Sequence, residues 1–347
     1  MKQGDPYGTH RVLEPPGALP QPAQKIDNNP ELYHNEILID VDTLNIDSAS
    51  FTQIQHTCAG DHQKIRDTIL HIVSTRGKMH NPVTGSGGML IGTVAQIGPG
   101  IKDNPAHSIQ PRDRIATLVS LSLTPLYIEE ILSIKPDIDQ VQIKGKAILF
   151  ESGMYAKLPE DFPESLALAV LDVAGAPAQT ARLVGPGDRV LIIGAGGKSS
   201  LLCLHEAKKR AGCTGQVAAA CYSQEDLQRV QESGLADIIF QADATDAVGT
   251  YQAYQKAAGD DLADLVINTV NIPNTEMASI LCTRNRGRIY FFSMATSFTA
   301  AALGAEGVGK DIDMLIGNGY AQGHGDIALG VLRENKTLRS MFTRLYT

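Results

Sequence analysis

Arg189-Val190-Leu191-Ile192-Ile193-Gly194-Ala195-Gly196-Gly197-Lys198-Ser199 is the stretch whose reading decides the fold. Val190 to Ile193 is apolar without alternation, as expected of a strand covered on both faces of a parallel sheet. Glycines follow at once, and helical spacing resumes from about Lys198 to Arg210, so the order is strand, tight turn, helix. In that setting the first glycine permits the turn and the second admits a phosphate close to the backbone. The helix start then offers N–H groups that have no intrahelical partner. Gly194, Ala195, Gly196, Gly197, Lys198 and Ser199 therefore form a candidate dinucleotide site. Ser199 stands where a third glycine is usual, small enough for close helix–strand packing but one place short of the full fingerprint. Gly197-Lys198-Ser199 could also end a P-loop, but that motif needs a glycine at position 192, which is Ile192.

Further strands are expected at Gln216–Cys221, 238–240, 265–268, 288–292 and 314–316, separated by helical stretches. Six strands with helical crossovers predict an α/β fold, a Rossmann doubly wound parallel sheet, whose ligand sits at the C-terminal strand ends. Tyr222, Ser223, Asn268, Thr269 and Ser293 follow such ends and are expected at the cofactor. A site for NAD normally carries Asp or Glu at the end of the second strand, where Cys221-Tyr222-Ser223 stands here. No Arg there favours a 2′-phosphate either, so NAD is expected and NADP remains open.

Upstream the rhythm changes. Short apolar runs at 37–41, 90–94, 114–118 and 147–150 are cut by Gly, Pro and Asp, which predicts a compact β-rich domain. One amphipathic helix is expected within it, since Ile65, Ile69, Ile72 and Val73 share a helical face between Asp61 and Thr75. A small-residue helix after Leu158-Pro159 should end near Gly175-Ala176-Pro177. The domains are thus drawn as 1–175 and 176–319, with 320–347 expected to pack back on the first. A chain of 347 residues exceeds what one core usually serves. Its net charge of −8 and lack of basic clusters argue against nucleic acid. The five cysteines show no CxxC spacing and are expected reduced, Cys221 among them as an inert strand-end thiol. No apolar run reaches the roughly 18 residues a membrane helix needs, and a cytoplasmic location is expected.

A β-rich half followed by a dinucleotide-binding half resembles the medium-chain dehydrogenase/reductase superfamily, whose first domain is a GroES-like barrel. Gly87-Gly88-Met89-Leu90-Ile91-Gly92-Thr93-Val94-Ala95-Gln96-Ile97-Gly98 is similar to that family's GHExxGxVxxVG run, and Pro111-Arg112-Asp113-Arg114-Ile115 to its PGDRV. The resemblance implies a nicotinamide-dependent oxidoreductase and a homodimer joined through its nucleotide-binding sheets. Zinc members carry His-Glu where Gly88 and Met89 stand, and cysteines near Asp47 and Val173. One carboxylate cannot replace three zinc ligands, so no metal is expected. Residues 43–51, 116–125 and 171–179 resemble a branch of the superfamily that oxidatively deaminates diamino acids, implying a small-molecule diamino acid substrate.

Without a metal, side chains must take the amine's proton and hold its second ammonium. Asp47 and Asp172 are the catalytic candidates, expected to face a cleft between the domains; a turn or helix-pairing role is the simpler reading of each. Ser48, Ser86, Ser120 and Ser122 are candidate substrate-binding residues. His324 is read as a helix-start or surface residue. Two other readings remain: a zinc-free quinone or enone reductase using NADPH, and a non-catalytic nucleotide-binding protein.

Overall fold

The computed structural model describes residues 1–102, 109–293, 295–317 and 319–347. The chain forms two compact units, Met1–Asp161 and Phe162–Thr347.

In the first unit β1 (Val12–Glu14) pairs with β2 (Lys25–Ile26). The main sheet contains β3 (Glu36–Asn45), β4 (Met89–Ile97), β5 (Arg114–Thr117), β6 (Leu126–Lys135), β7 (Gln140–Phe150) and β8 (Tyr155–Lys157). Its order is β6-β7-β3-β4-β5-β8, antiparallel at every pairing. Central β3 sends Ile37, Ile39, Val41 and Leu44 into the core. Two long helices cross the sheet's connections where the sequence led us to expect one: α1 (Ser48–Thr57) and α2 (His62–Arg76). In α2, Ile65, Ile69, Ile72 and Val73 are buried as their spacing predicts; Asp61 caps its start and Gly77, at φ +73°, its end. Only Ser50, Phe51 and Ile54 are buried in α1, too weak a stripe to announce itself. A short helix, α3 (Pro99–Lys102), follows β4.

The second unit opens with α4 (Glu164–Leu171) and α5 (Gly175–Leu183), split by a turn at residues 172–174 where one helix was expected. Then β9 (Arg189–Ile193), α6 (Lys198–Ala211), β10 (Gln216–Cys221), α7 (Gln224–Ser233), β11 (Ile238–Gln241) and α8 (Ala247–Ala258) alternate. They are followed by β12 (Ala263–Asn268), α9 (Glu276–Cys282), β13 (Thr283–Phe291), α10 (Phe298–Gly307) and β14 (Asp313–Ile316). The six strands are parallel, in the order β11-β10-β9-β12-β13-β14. This is a Rossmann sheet, and the order in which strands are added reverses between β9 and β12, where such sheets take their ligand. All six strands expected from the sequence are present.

The boundary falls at Asp161 rather than at 175, because α4 packs on α6 and on the closing helices α11 (His324–Glu334) and α12 (Lys336–Tyr346). Residues 324–346 likewise belong to the second unit: α11 lies on α4, α5 and α6, and α12 on α4 and α7. Two arginines, Arg333 and Arg339, stack over Phe162 at 5.3 and 4.5 Å, which ties both helices to the start of the unit. No helix among the described residues is long and apolar enough to cross a membrane.

Candidate functional site

The turn after β9 leaves the strand at Gly194 (φ +83°) and passes Gly196 (φ +109°), a backbone course that L side chains avoid. Gly194 and Ala195 both donate their N–H to Ala220 O of β10, which fixes the loop over the neighbouring strand. Gly197 is the N-cap of α6 and supplies no side-chain cap. A methyl there would meet nothing nearer than Ser200 Oγ at 3.8 Å. An uncapped helix start beside open space, at the sheet's switch point, suits a phosphate.

Across the switch point Thr269 Oγ1 donates to Ile193 O (3.1 Å) and lies 3.3 Å from Gly194 O. It thus braces the turn. Asn268 is 1% exposed; its Nδ2 serves Thr275 and Ser279, and its Oδ1 accepts from Val270 N, so its amide shapes the loop. Ser293 is joined to Asn271 (3.2 Å). Tyr222 is 67% exposed at the end of β10. Ser223 caps α7 in a capping box with Asp226.

Asp226 is a residue at the glycine turn that the sequence reading missed. Its Oδ1 lies 2.7 Å from the place a Cβ on Gly196 would take, so the capping box folds a carboxylate against the glycine turn. The strand tip itself carries no acid, and Asp226 stands one helical turn later, at N3 of α7. The visible signal was Ser223-Gln224-Glu225-Asp226, a cap followed three residues on by an acid. Arg229 contacts Asp226 (3.4 Å) and Glu225 (3.1 Å).

Lys198, the first residue of α6, donates to Asp172 at 2.6 Å, and its ammonium also stands 5.8 Å from the Tyr346 ring. Asp172 sits in the turn between α4 and α5. Two sequence candidates are thus brought together, one from the catalytic set and one from the cofactor set. His324 starts α11 as expected but is buried, edge-on to Tyr320 at 5.1 Å, and burial lowers its pKa. Burial pushes the Cys221 thiol up to about 12, which leaves it inert.

In the first unit Asp47 is the N-cap of α1: its Oδ1 accepts from Ala49 N and Ser50 N, and its Oδ2 from Ser50 Oγ. The capping role is the one the geometry displays. Ser86 joins Ser50 (2.6 Å) and Thr84 (3.1 Å) in a hydroxyl cluster beside it. Ser48 points instead to Asp139 (2.5 Å). Ser120 and Ser122 bond each other (2.8 Å) on a loop pinned by Leu121 N to Gly88 O.

Gly88, the position that the resemblance sets against a zinc enzyme's histidine, has φ +104°. A Cβ there would lie 2.1 Å from Asn45 O and 2.7 Å from Asp47 N, so the backbone of the Asp47 loop fills the space a ligand side chain would need. His80, next in the chain to Asn81, which donates to Ser50 O, was also unforeseen. Burial, with Lys78 and Arg76 nearby, lowers its pKa, and its Nδ1 is buried without a hydrogen-bond partner. The backbone of Gly85 favours its charged form.

Residues 10–159 match the family model described as the L-erythro-3,5-diaminohexanoate dehydrogenase N-terminal domain. The Acetoanaerobium sticklandii protein named L-erythro-3,5-diaminohexanoate dehydrogenase is 58% identical over 344 residues, covering 99% of each chain. The Fusobacterium nucleatum protein of the same name is 56% identical over 349 residues and covers 100% of each. The chain belongs to the L-erythro-3,5-diaminohexanoate dehydrogenase family. It is an enzyme, an oxidoreductase of the dehydrogenase class. Solved structures carry the same fold at low identity. A mycobacterial protein complexed with NADPH has a TM-score of 0.55 at 16% identity, covering 89% of this chain and 81% of its own. An alcohol dehydrogenase from Thermotoga maritima has a TM-score of 0.55 at 15% identity, covering 90% and 85%. The expected α/β pairing of a GroES-like domain with a Rossmann sheet is what these likenesses share.

Proposed function

We propose that the enzyme oxidatively deaminates L-erythro-3,5-diaminohexanoate at C3 with NAD, giving 5-amino-3-oxohexanoate and ammonium as a step of lysine fermentation. The observation that carries this reading is the end-to-end likeness, at 58% and 56% identity, to two relatives named for that substrate. The bound nicotinamide supplies the hydride acceptor. C3 can release hydride only when its nitrogen is neutral, so one proton must first leave the amine; water then hydrolyses the C=N bond and ammonium departs.

Asp47, Asp172 and His80, whose pKa burial lowers, are the groups offered for the proton and for the second ammonium. The hydroxyls of Ser86, Ser120 and Ser122 are offered for the carboxylate, with Ser48 more distant in its bond to Asp139. The turn from Gly194 to Ser199 holds the pyrophosphate, with Thr269 behind it and Tyr222, Ser223, Asn268 and Ser293 at its edges. NAD is favoured over NADP because Asp226 stands against Gly196, where a 2′-phosphate would meet like charge. The reading is metal-free: Gly88, closed in by backbone, and Met89 replace two ligands, and Asp47 is engaged as a cap. We infer a cytoplasmic homodimer joined along β14, one of the two edge strands of its sheet, beside exposed Phe298, Leu303 and Ile316.

The test mixes metal-stripped protein with NAD and L-erythro-3,5-diaminohexanoate and follows nicotinamide reduction and ammonium release together. Equal yields of the two, unaffected by chelator, are expected. Turnover of a quinone with NADPH in place of the diamino acid, or activity that vanishes with chelator and returns with zinc, overturns the reading.

A further inference from the structure

Lys198 holds two positions in this site at once. As the first residue of α6 it belongs to the turn offered to the pyrophosphate, yet its ammonium is bonded to Asp172 at 2.6 Å. Both side chains keep about a third of their surface in solvent, 27% for Lys198 and 32% for Asp172. A half-exposed pair of this kind is weak and readily exchanged. The α6 N-terminus next to it carries no side-chain cap, so an arriving pyrophosphate would add two negative charges where helix dipole and ammonium both point. Tyr346 of α12 flanks Lys198 with its ring 5.8 Å from the ammonium.

We propose that the Lys198–Asp172 pair is a cofactor-operated latch: the dinucleotide pyrophosphate draws Lys198 off Asp172, and the released carboxylate then receives an ammonium of the diamino acid. The latch rests on the function proposed above. It makes binding ordered, cofactor before substrate, because in the empty enzyme Asp172 is already neutralised by its own lysine. It also gives Lys198 and Asp172 opposite signatures. Loss of Lys198 removes a pyrophosphate partner but frees Asp172; loss of Asp172 frees Lys198 for the pyrophosphate and deprives the substrate of its anchor. Linkage requires the coupling to be mutual, so the substrate must tighten the cofactor by the same factor.

The experiment is calorimetric titration of the full chain with L-erythro-3,5-diaminohexanoate, alone and with saturating ADP-ribose, which brings the pyrophosphate without a hydride acceptor and so prevents turnover. Wild type should bind the diamino acid at least tenfold more tightly when ADP-ribose is present. In Lys198→Met that factor should fall to within twofold of one, with ADP-ribose itself bound several-fold more weakly. In Asp172→Asn the diamino acid should bind weakly in both conditions while ADP-ribose binds as well as in wild type or better. Circular dichroism of both variants, whose side chains are half-exposed, checks that the fold persists. An unchanged substrate affinity on adding ADP-ribose to wild type, or full coupling retained in Lys198→Met, overturns the latch and leaves the proposed function standing. Failure of wild type to bind ADP-ribose at all overturns both.

Discussion

Gly197 offers the cleanest separation of fold from ligand, because its backbone is ordinary (φ −78°, ψ 172°) and a methyl there meets only Ser200 Oγ, at 3.8 Å, and Gly194 O, at 4.0 Å, both at ordinary contact distance. Nothing in the folded chain demands glycine at this place. Gly197→Ala should cost no more than the N-cap preference, under about 1 kcal/mol. The methyl would project at the uncapped start of α6, where the pyrophosphate is expected, and one lost charge-assisted hydrogen bond is worth about 1.5–3 kcal/mol. NAD should therefore bind roughly 10- to 150-fold more weakly with Tm nearly unchanged. Gly196→Ala is the control with the opposite balance. Its φ of +109° and a Cβ 2.5 Å from Asp226 Cβ add strain to overlap, about 2–5 kcal/mol together. That should lower Tm by about 5–15 °C for a unit of this size. Calorimetric titration with NAD and a thermal scan measure both. If Gly197→Ala binds NAD like wild type, the pyrophosphate does not rest on this turn and the assignment of the site falls.

Asp226→Asn keeps most of the cap, removes the charge beside Gly196 and leaves Arg229 to Glu225 alone; the kcat/KM preference for NAD over NADP should narrow at least tenfold, and an unchanged ratio would refute Asp226 as the discriminator. Arg11 lies fully buried, its Nη2 2.6 Å from Glu36 Oε2, so Arg11→Met takes the guanidinium from a buried carboxylate, leaving it only His10 and Tyr33 N, and should destabilise the first unit by about 3–5 kcal/mol in urea melts. For His10 burial lowers the pKa, but hydrogen bonds to Glu36 and Asp5 outweigh it, and the folded value lies above 6.5. Its contribution is therefore complete below pH 6.5 and lost as pH rises through the folded value, so His10→Asn should flatten the decline of stability on the alkaline side of 6.5. Ile316→Lys, at the exposed edge strand, should convert the inferred dimer to monomer in light scattering; a mass that stays dimeric would place the interface elsewhere.

What sequence alone determined here is whatever depends on neighbours in the chain. Apolar β9, the glycines after it, the strands that follow and the buried face of α2 are encoded in periods of a few residues, and each appears where its pattern put it. Helix α1 and the break between α4 and α5 escaped, because Phe51 and Ile54 make a faint stripe and a small-residue run shows no interruption at Asp172. Tertiary structure decided the partners. Lys198 meets Asp172 across 26 residues, and Ser86 meets Ser50 across 36. Asp226 reaches Gly196 only because β9 and β10 lie side by side, with Ala220 O binding both Gly194 and Ala195. Gly88 is closed to a ligand side chain by backbone more than 40 residues upstream. Periodicity sets which face a residue presents; only the packed fold sets what stands opposite it, and the chemistry of this site lies in those oppositions.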